Sequence, residues 1–310
     1  MRIKDIMMFG ILLFSVTFPY NAQDIIESND GFFYVKDNVL EQYIGFEECV
    51  VIPTDIGITE IRGLNFLSDL SNDIIKSVII PESVTVIGNQ TFAELISITN
   101  INIPENVTAI GAMAFFNCKS LTSITIPANV AFIGKDAFRG CTSLTSINVD
   151  ERNTSYISID GVLYNKNKTL LIKYPASKNE QIYTIPSSVT AVESRAFSGN
   201  RHLQSITIPA NTSFIGMDAF DLRFSLTSIN VDKRNTSYTR TVRKLANRSK
   251  SPRWGMIPAR SALKFRLGLR RCSVFYGRMH KNGINFLCGG IRAALERTGK
   301  NNGANLPDCQ

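Results

Sequence analysis

The residue types that carry metal or redox chemistry are few and poorly spaced in this chain. His202 and His280 are the only histidines among 310 residues, and neither stands at a metal-ligand or catalytic interval. Cys272, His280, Cys288 and Cys309 hold suitable donor atoms for zinc, but their separations of 7, 7 and 20 intervening residues match no compact finger. No G-x-S-x-G elbow and no glycine-rich phosphate loop is present. The expectation is a non-enzyme with no catalytic residue, no cofactor and no metal. The chemistry on offer is recognition. Tyr156, Tyr164, Tyr174 and Lys173 are aromatic and cationic groups of the kind enriched at contact hot spots. A second set, Asn100, Asn102, Ser123, Thr125, Ser146, Asn148, Ser205 and Thr207, offers hydroxyls and amides that both donate and accept hydrogen bonds.

An internal repeat places these side chains. Prolines fall at Pro81, Pro104 and Pro127, then at Pro186 and Pro209, in steps of 23 residues. Phe92, Phe115 and Phe138, then Phe197 and Phe220, keep the same step. Between them stand Ile87-Gly88, Ile110-Gly111, Ile133-Gly134, Ala191-Val192 and Ile215-Gly216. Each unit opens with an alternating strand, in which Ile124 and Ile126 point one way and Ser123 and Thr125 the other. Proline, lacking an N–H, closes the strand. Ile-Gly then turns the chain, and Ala137-Phe138 reads as a short helical or 3₁₀ turn that drives its ring inward. Such a coil cannot bury its apolar face alone, so neighbouring coils must stack, sharing a parallel ladder and a continuous core. The outward strand positions then form one uncharged wall, which reads either as a contact surface or as a solubilising ladder.

The step from Pro127 to Pro186 is 59, one repeat plus 36 residues. The added segment reads as a β-meander, with a tight turn at Asp160-Gly161 and a polar turn over Asn165-Lys-Asn-Lys168. Asp30-Gly31-Phe-Phe-Tyr34 and Val39 to Tyr43 repeat it before the first coil. The hairpin at Tyr156 to Tyr174 is expected to project as a ligand anchor or to pack on the flank of the repeats. Cys118 and Cys141 share one slot of adjacent coils, where the next copies carry Asn200 and Arg223. Adjacent coils bring them within disulfide range, but parallel side-chain vectors favour two buried thiols.

The ends differ from the body. Arg2 and Lys4 precede an apolar stretch from Ile6 to Phe18, the layout of a secretory signal peptide ending near Ala22. That stretch is shorter than the roughly 20 residues a membrane-spanning helix needs, and no later segment is long enough. Residues 1–238 hold 18 Lys+Arg against 24 Asp+Glu, while residues 239–310 hold 16 against 2. A basic overall charge of +8 therefore describes one end and not the body, and nucleic acid is not an expected partner. Asn235-Thr-Ser-Tyr238 repeats Asn153-Thr-Ser-Tyr156 at a distance of 82, so a third meander is expected after it. Instead comes Thr239-Arg-Thr-Val-Arg-Lys244, and a lost reading frame near Tyr238 accounts for the break. Asn106, Asn153, Asn211 and Asn235 lie in N-x-S/T sequons.

The 23-residue unit, the meander and the leader together resemble the BspA-like leucine-rich repeat family of microbial surface proteins. The resemblance covers about residues 29–238 and implies a mainly β, right-handed leucine-rich-repeat solenoid with inserted β-hairpin modules. It also implies secretion or cell-surface display and adhesion to an extracellular protein or glycan, on host matrix or another cell. The expected organisation is a signal peptide at 1–22, an N-terminal hairpin cap at 23–48 and a solenoid at 49–238 with its hairpin insertion at about 151–184. A basic tail at 239–310 comes last, disordered or out of frame. The competing readings are the repeat portion of a larger secreted enzyme or effector, and a truncated product without function.

Overall fold

The computed structural model describes residues 24–28, 31–45, 47–62, 73–221 and 225–237, all within one compact unit. The expected signal peptide and basic tail lie outside these residues. The chain opens on three antiparallel strands, β1 (Ile25–Ser28), β2 (Gly31–Lys36) and β3 (Val39–Ile44). Longer and two-residue strands then alternate: β4 (Cys49–Val51), β5 (Glu60–Ile61), β6 (Ser77–Ile79), β7 (Val86–Ile87), β8 (Asn100–Asn102), β9 (Ala109–Ile110), β10 (Ser123–Ile126) and β11 (Phe132–Ile133). β12 (Ser146–Val149) leads into a second meander, β13 (Tyr156–Ile159), β14 (Val162–Asn165) and β15 (Leu170–Lys173). The last coils contribute β16 (Ile182–Thr184), β17 (Ala191–Val192), β18 (Ser205–Ile208), β19 (Phe214–Ile215) and β20 (Ser228–Val231).

One turn per repeat makes the pairing parallel and the register 23, as in Ser123↔Ser146 and Ile206↔Ile229. The longer strands form one wall, β4-β6-β8 and β10-β12, then β16-β18-β20 beyond the second meander. The two-residue strands form a second wall, and each meander starts it. β3 pairs in parallel with β5 through Leu40↔Ile61, and β15 pairs with β17 through Leu171↔Val192. Asp160-Gly161 forms the expected tight turn, with both residues left-handed at φ +50 and +76.

Two local readings need correction. The Ile of each Ile-Gly pair does not merely turn the chain; it lies in a strand of the second wall, as Ile110 and Ile133 do in β9 and β11. Glycine comes next because coils touch there. A Cβ on Gly134 would stand 2.2 Å from the Ala112 nitrogen, and one on Gly111 would stand 2.4 Å from the Gly88 carbonyl carbon. Ala137-Phe138 is not helical. Asp136 (φ +59) and its equivalents Met113 and Arg195 are left-handed, which interrupts any helix. Amides on this side alternate between the local bond of a turn, as Arg139 N to Asp136 O at 3.0 Å, and the next coil, as Phe92 N to Ala114 O at 2.8 Å and Phe115 N to Ala137 O at 2.9 Å. The ring does turn inward: Phe92, Phe115 and Phe138 form a stacked column with centroids 5.6 Å apart.

The core divides in two at the second meander. Leu163 packs into the first cluster, with Phe138 and Ile147, while its neighbours Val162 and Tyr164 pack into the second, with Tyr174 and Phe197. β14 is thus buried on both faces, a layer between two stacks of coils. The expectation of a projecting hairpin is overturned, because three successive apolar or aromatic residues facing two cores bury far more surface than a hairpin in water.

Candidate binding surface

The outward positions of the long-strand wall are set by strand alternation. Asn100 and Asn102 on β8 and Ser123 and Thr125 on β10 are exposed, as is Asn148 on β12, while Ser146 is half-buried. Beyond the meander Ser205 and Thr207 on β18 are half-buried. Pairing aligns them in two rows, Ser123 beside Ser146 and Thr125 beside Asn148. In the second stack Ser228 Oγ donates to Ser205 Oγ at 2.8 Å, and Asn230 Nδ2 donates to the same oxygen at 3.1 Å. None of these outward positions carries a charge. The wall departs from this pattern at Val51 and Ile79, neighbours on β4 and β6, and at Ile182 on β16, which is 70% exposed.

The sequence-derived anchors behave differently. Tyr164 and Tyr174 are fully buried and Lys173 nearly so. The Tyr164 and Tyr183 hydroxyls bond one another, and Tyr174 Oη donates to Glu180 Oε2 at 3.0 Å. Lys173 Nζ donates to the Arg195 and Ser198 carbonyls at 3.3 and 3.4 Å. The half-buried Tyr156 accepts from Ile133 N at 2.9 Å, closing the end of β11. These four side chains hold the meander in place, so Tyr164, Tyr174 and Lys173 present no contact surface. Burial raises the Tyr156 and Tyr164 hydroxyls above the usual phenol value, and lifts Tyr183 further.

Other groups serve the turns. Cys118 and Cys141 are free thiols that donate to the Phe92 and Phe115 carbonyls at 3.1 and 3.0 Å. Burial pushes the Cys141 thiol up to about 12 and raises Cys118 as well. His202 is exposed. Asn153 and Asn235, two of the sequon asparagines, are fully buried, whereas Asn106 is exposed, as is Asn211. Among the described residues no group of three or more His, Cys, Asp or Glu could hold a metal ion, and no helix is long and apolar enough to cross a membrane. Sequence reasoning missed a shallow recess of about 340 Å³ on the short-strand wall, floored by Gly88 and Gly111 and edged by Phe132 and the Glu60–Arg62 ion pair. Its floor exists because the glycine column leaves the backbone bare.

A parallel β-solenoid with one 23-residue unit per turn, an inward aromatic column and an inward Cys/Asn slot defines a leucine-rich-repeat protein. The chain belongs to the BspA type leucine rich repeat family, whose model matches residues 70–183 and 172–242 in six copies. No curated protein matches it. Among solved structures it is similar to the pneumococcal vaccine antigen PcpA, at 22% identity over 68% of this chain and 70% of that one, with a TM-score of 0.45. A leucine-rich repeat protein from Eubacterium ventriosum is 24% identical over 66% and 70% of the two chains, TM-score 0.42. A leucine rich cell surface protein from Faecalibacterium prausnitzii is 22% identical over 68% and 77%, TM-score 0.34.

Proposed function

We infer that this protein is exported and displayed outside the cell, where its long-strand wall binds an extracellular protein or glycan without catalysis. The observation that supports this most is the run of exposed, uncharged Asn, Ser and Thr side chains on β8, β10 and β12, in register between β10 and β12. Strands about 4.8 Å apart repeat the same donors and acceptors along the axis, which suits an extended ligand. The signal-peptide layout of residues 1–22, two cations ahead of a short apolar stretch, supports export. Substituting Asn102→Arg and Thr125→Arg together should leave the circular dichroism spectrum unchanged and abolish adhesion of the protein to immobilised matrix proteins and to a glycan array. Adhesion that survives both substitutions would move the contact surface elsewhere.

A further inference from the structure

We propose that the end of the second stack is a docking face for a β-hairpin of the Tyr156–Tyr174 type, supplied by another polypeptide. Both stacks are left by the same turn. Asn153 Nδ2 donates to the Pro127 and Val130 carbonyls at 2.7 and 2.9 Å, and its Oδ1 accepts from Ser155 N at 2.9 Å. Asn235 Nδ2, 82 residues on, donates to the Pro209 and Thr212 carbonyls at 2.8 Å each, and its Oδ1 accepts from Ser237 N at 3.0 Å. Asp150 accepts from the Arg152 amide at 2.8 Å and Asp232 from the Arg234 amide at 2.9 Å, each also gripping the arginine's own guanidinium. The geometry that launches the second meander is therefore present twice.

Beyond this shared turn the two ends part. After the first exit, Tyr156 accepts from Ile133 N, Ser158 Oγ donates to Ile147 O at 2.6 Å, and Ile147 N donates to Gly161 O at 2.9 Å. Beneath this layer Phe138 is 3% exposed and Ile147 is fully buried. At the second end the equivalent Phe220 and Ile229 are only half-buried, while Ile215 and Val231 are half-buried just as Ile133 and Val149 are at the first. The sequence after Tyr238 lacks the Asp-Gly turn and the Val-Leu-Tyr strand that cover the first end. The fitting partner is an antiparallel hairpin that turns on Asp-Gly. It carries a leucine at the Leu163 position facing the acceptor stack, while the acceptor's own sequence already supplies the tyrosine of the Tyr156 position as Tyr238. Likeness to the first interface identifies the occupant: the face whose Phe138, Ile147, Ile133 and Val149 recur at an offset of 82 as Phe220, Ile229, Ile215 and Val231 already binds such a hairpin once in this molecule.

The test uses the full chain and a synthetic peptide of residues 153–176, read by titration calorimetry and by amide exchange of β19 and β20. A 1:1 complex that slows exchange in β20 by roughly tenfold or more, and that a Leu163→Asp peptide does not form, is the expected result. Isolated hairpins are marginal in water, so a second protein carries residues 156–176 inserted after Ser237. Protection and a raised Tm from the insertion, with no binding of the peptide, would show that the face accepts a hairpin only within one chain and would overturn the partner. If neither peptide nor insertion changes exchange in β20, or if the Leu163→Asp forms act equally well, the docking face itself is wrong.

Discussion

The two stacks fill one slot with different chemistry. In the first, Cys118 and Cys141 each donate one weak hydrogen bond to the carbonyl of a phenylalanine in the preceding coil. In the second, Asn200 makes four bonds. Nδ2 donates to the Pro175 and Lys178 carbonyls at 3.0 Å each, and Oδ1 accepts from His202 N at 3.0 Å and Leu203 N at 2.9 Å. The coil before Cys141 is regular, so most of its backbone groups are already bonded to neighbours. The segment before Asn200 is the irregular exit from the second meander, whose carbonyls have no ladder of their own. A slot is thus filled according to how many backbone groups its neighbours leave over, since each buried group without a partner costs about 1–3 kcal/mol.

The substitution that strains this comparison most is Asn200→Cys. A thiol can satisfy one carbonyl and neither amide, so the second stack should lose about 3 kcal/mol, with a fall in Tm on the order of 10 °C. Urea titration of the variant checks it, and a change below about 1 kcal/mol would mean that the slot is indifferent to its neighbours.

Next in size is the tie between the stacks. Arg195 Nη1 lies 2.8 Å from Asp136 Oδ2 across 59 residues, reaching from the second stack to the first. The Asp136 side chain is only 5% exposed. Arg195→Ala strips a largely buried carboxylate of its partner and should cost about 2 kcal/mol, with thermal unfolding spread into two steps as the stacks uncouple. Asp136→Asn in the same background should recover part of the loss. Cys141→Asn, the converse of the first substitution, should cost about 1–2 kcal/mol, because the amide reaches the slot's one carbonyl and leaves its second N–H and its oxygen buried without partners. A Cys141→Asn protein as stable as the parent would mean that the neighbours do not decide how the slot is filled, and would remove the distinction between the stacks.

Much of this was legible in the sequence. Proline and phenylalanine at 23-residue steps announce the coil, and Asp160-Gly161 announces the meander, because turn and column residues have no substitutes. The short-strand wall was not legible, since two residues such as Phe132-Ile133 are too few to show alternation. The fate of the meander was also hidden. Val162-Leu163-Tyr164 is a short apolar run that fits a surface hairpin or a doubly buried strand equally well. Tyr164 and Tyr174 read as surface anchors because their hydroxyls need partners. Those partners, Tyr183 and Glu180, come from the chain after the meander and are brought in only by the stacking of coils.

The thiols give the comparison its finest probe, because Asn200 cannot titrate and Cys141 can. Burial holds the folded Cys141 thiol at about 12, well above the value of about 8.5 in an unfolded chain. The sign is then fixed: this group's contribution is fully present below about pH 8.5 and is lost as pH rises toward 12, because the unfolded state ionises first. Tyr164 and Tyr183 are raised from an ordinary value near 10, so their loss begins about 1.5 pH units higher and falls on the second stack. Between about pH 8.5 and 10 the first stack should therefore weaken alone, and hydrogen exchange resolved by strand would show protection falling in β8 to β12 before β16 to β20. Iodoacetamide at about pH 8 should leave both thiols unmodified in the native protein and alkylate them in urea, since the thiolate is the reactive form. Native-state labelling of Cys141 would mean that its slot opens to solvent, and the first stack would lose its standing as the closed member of the pair.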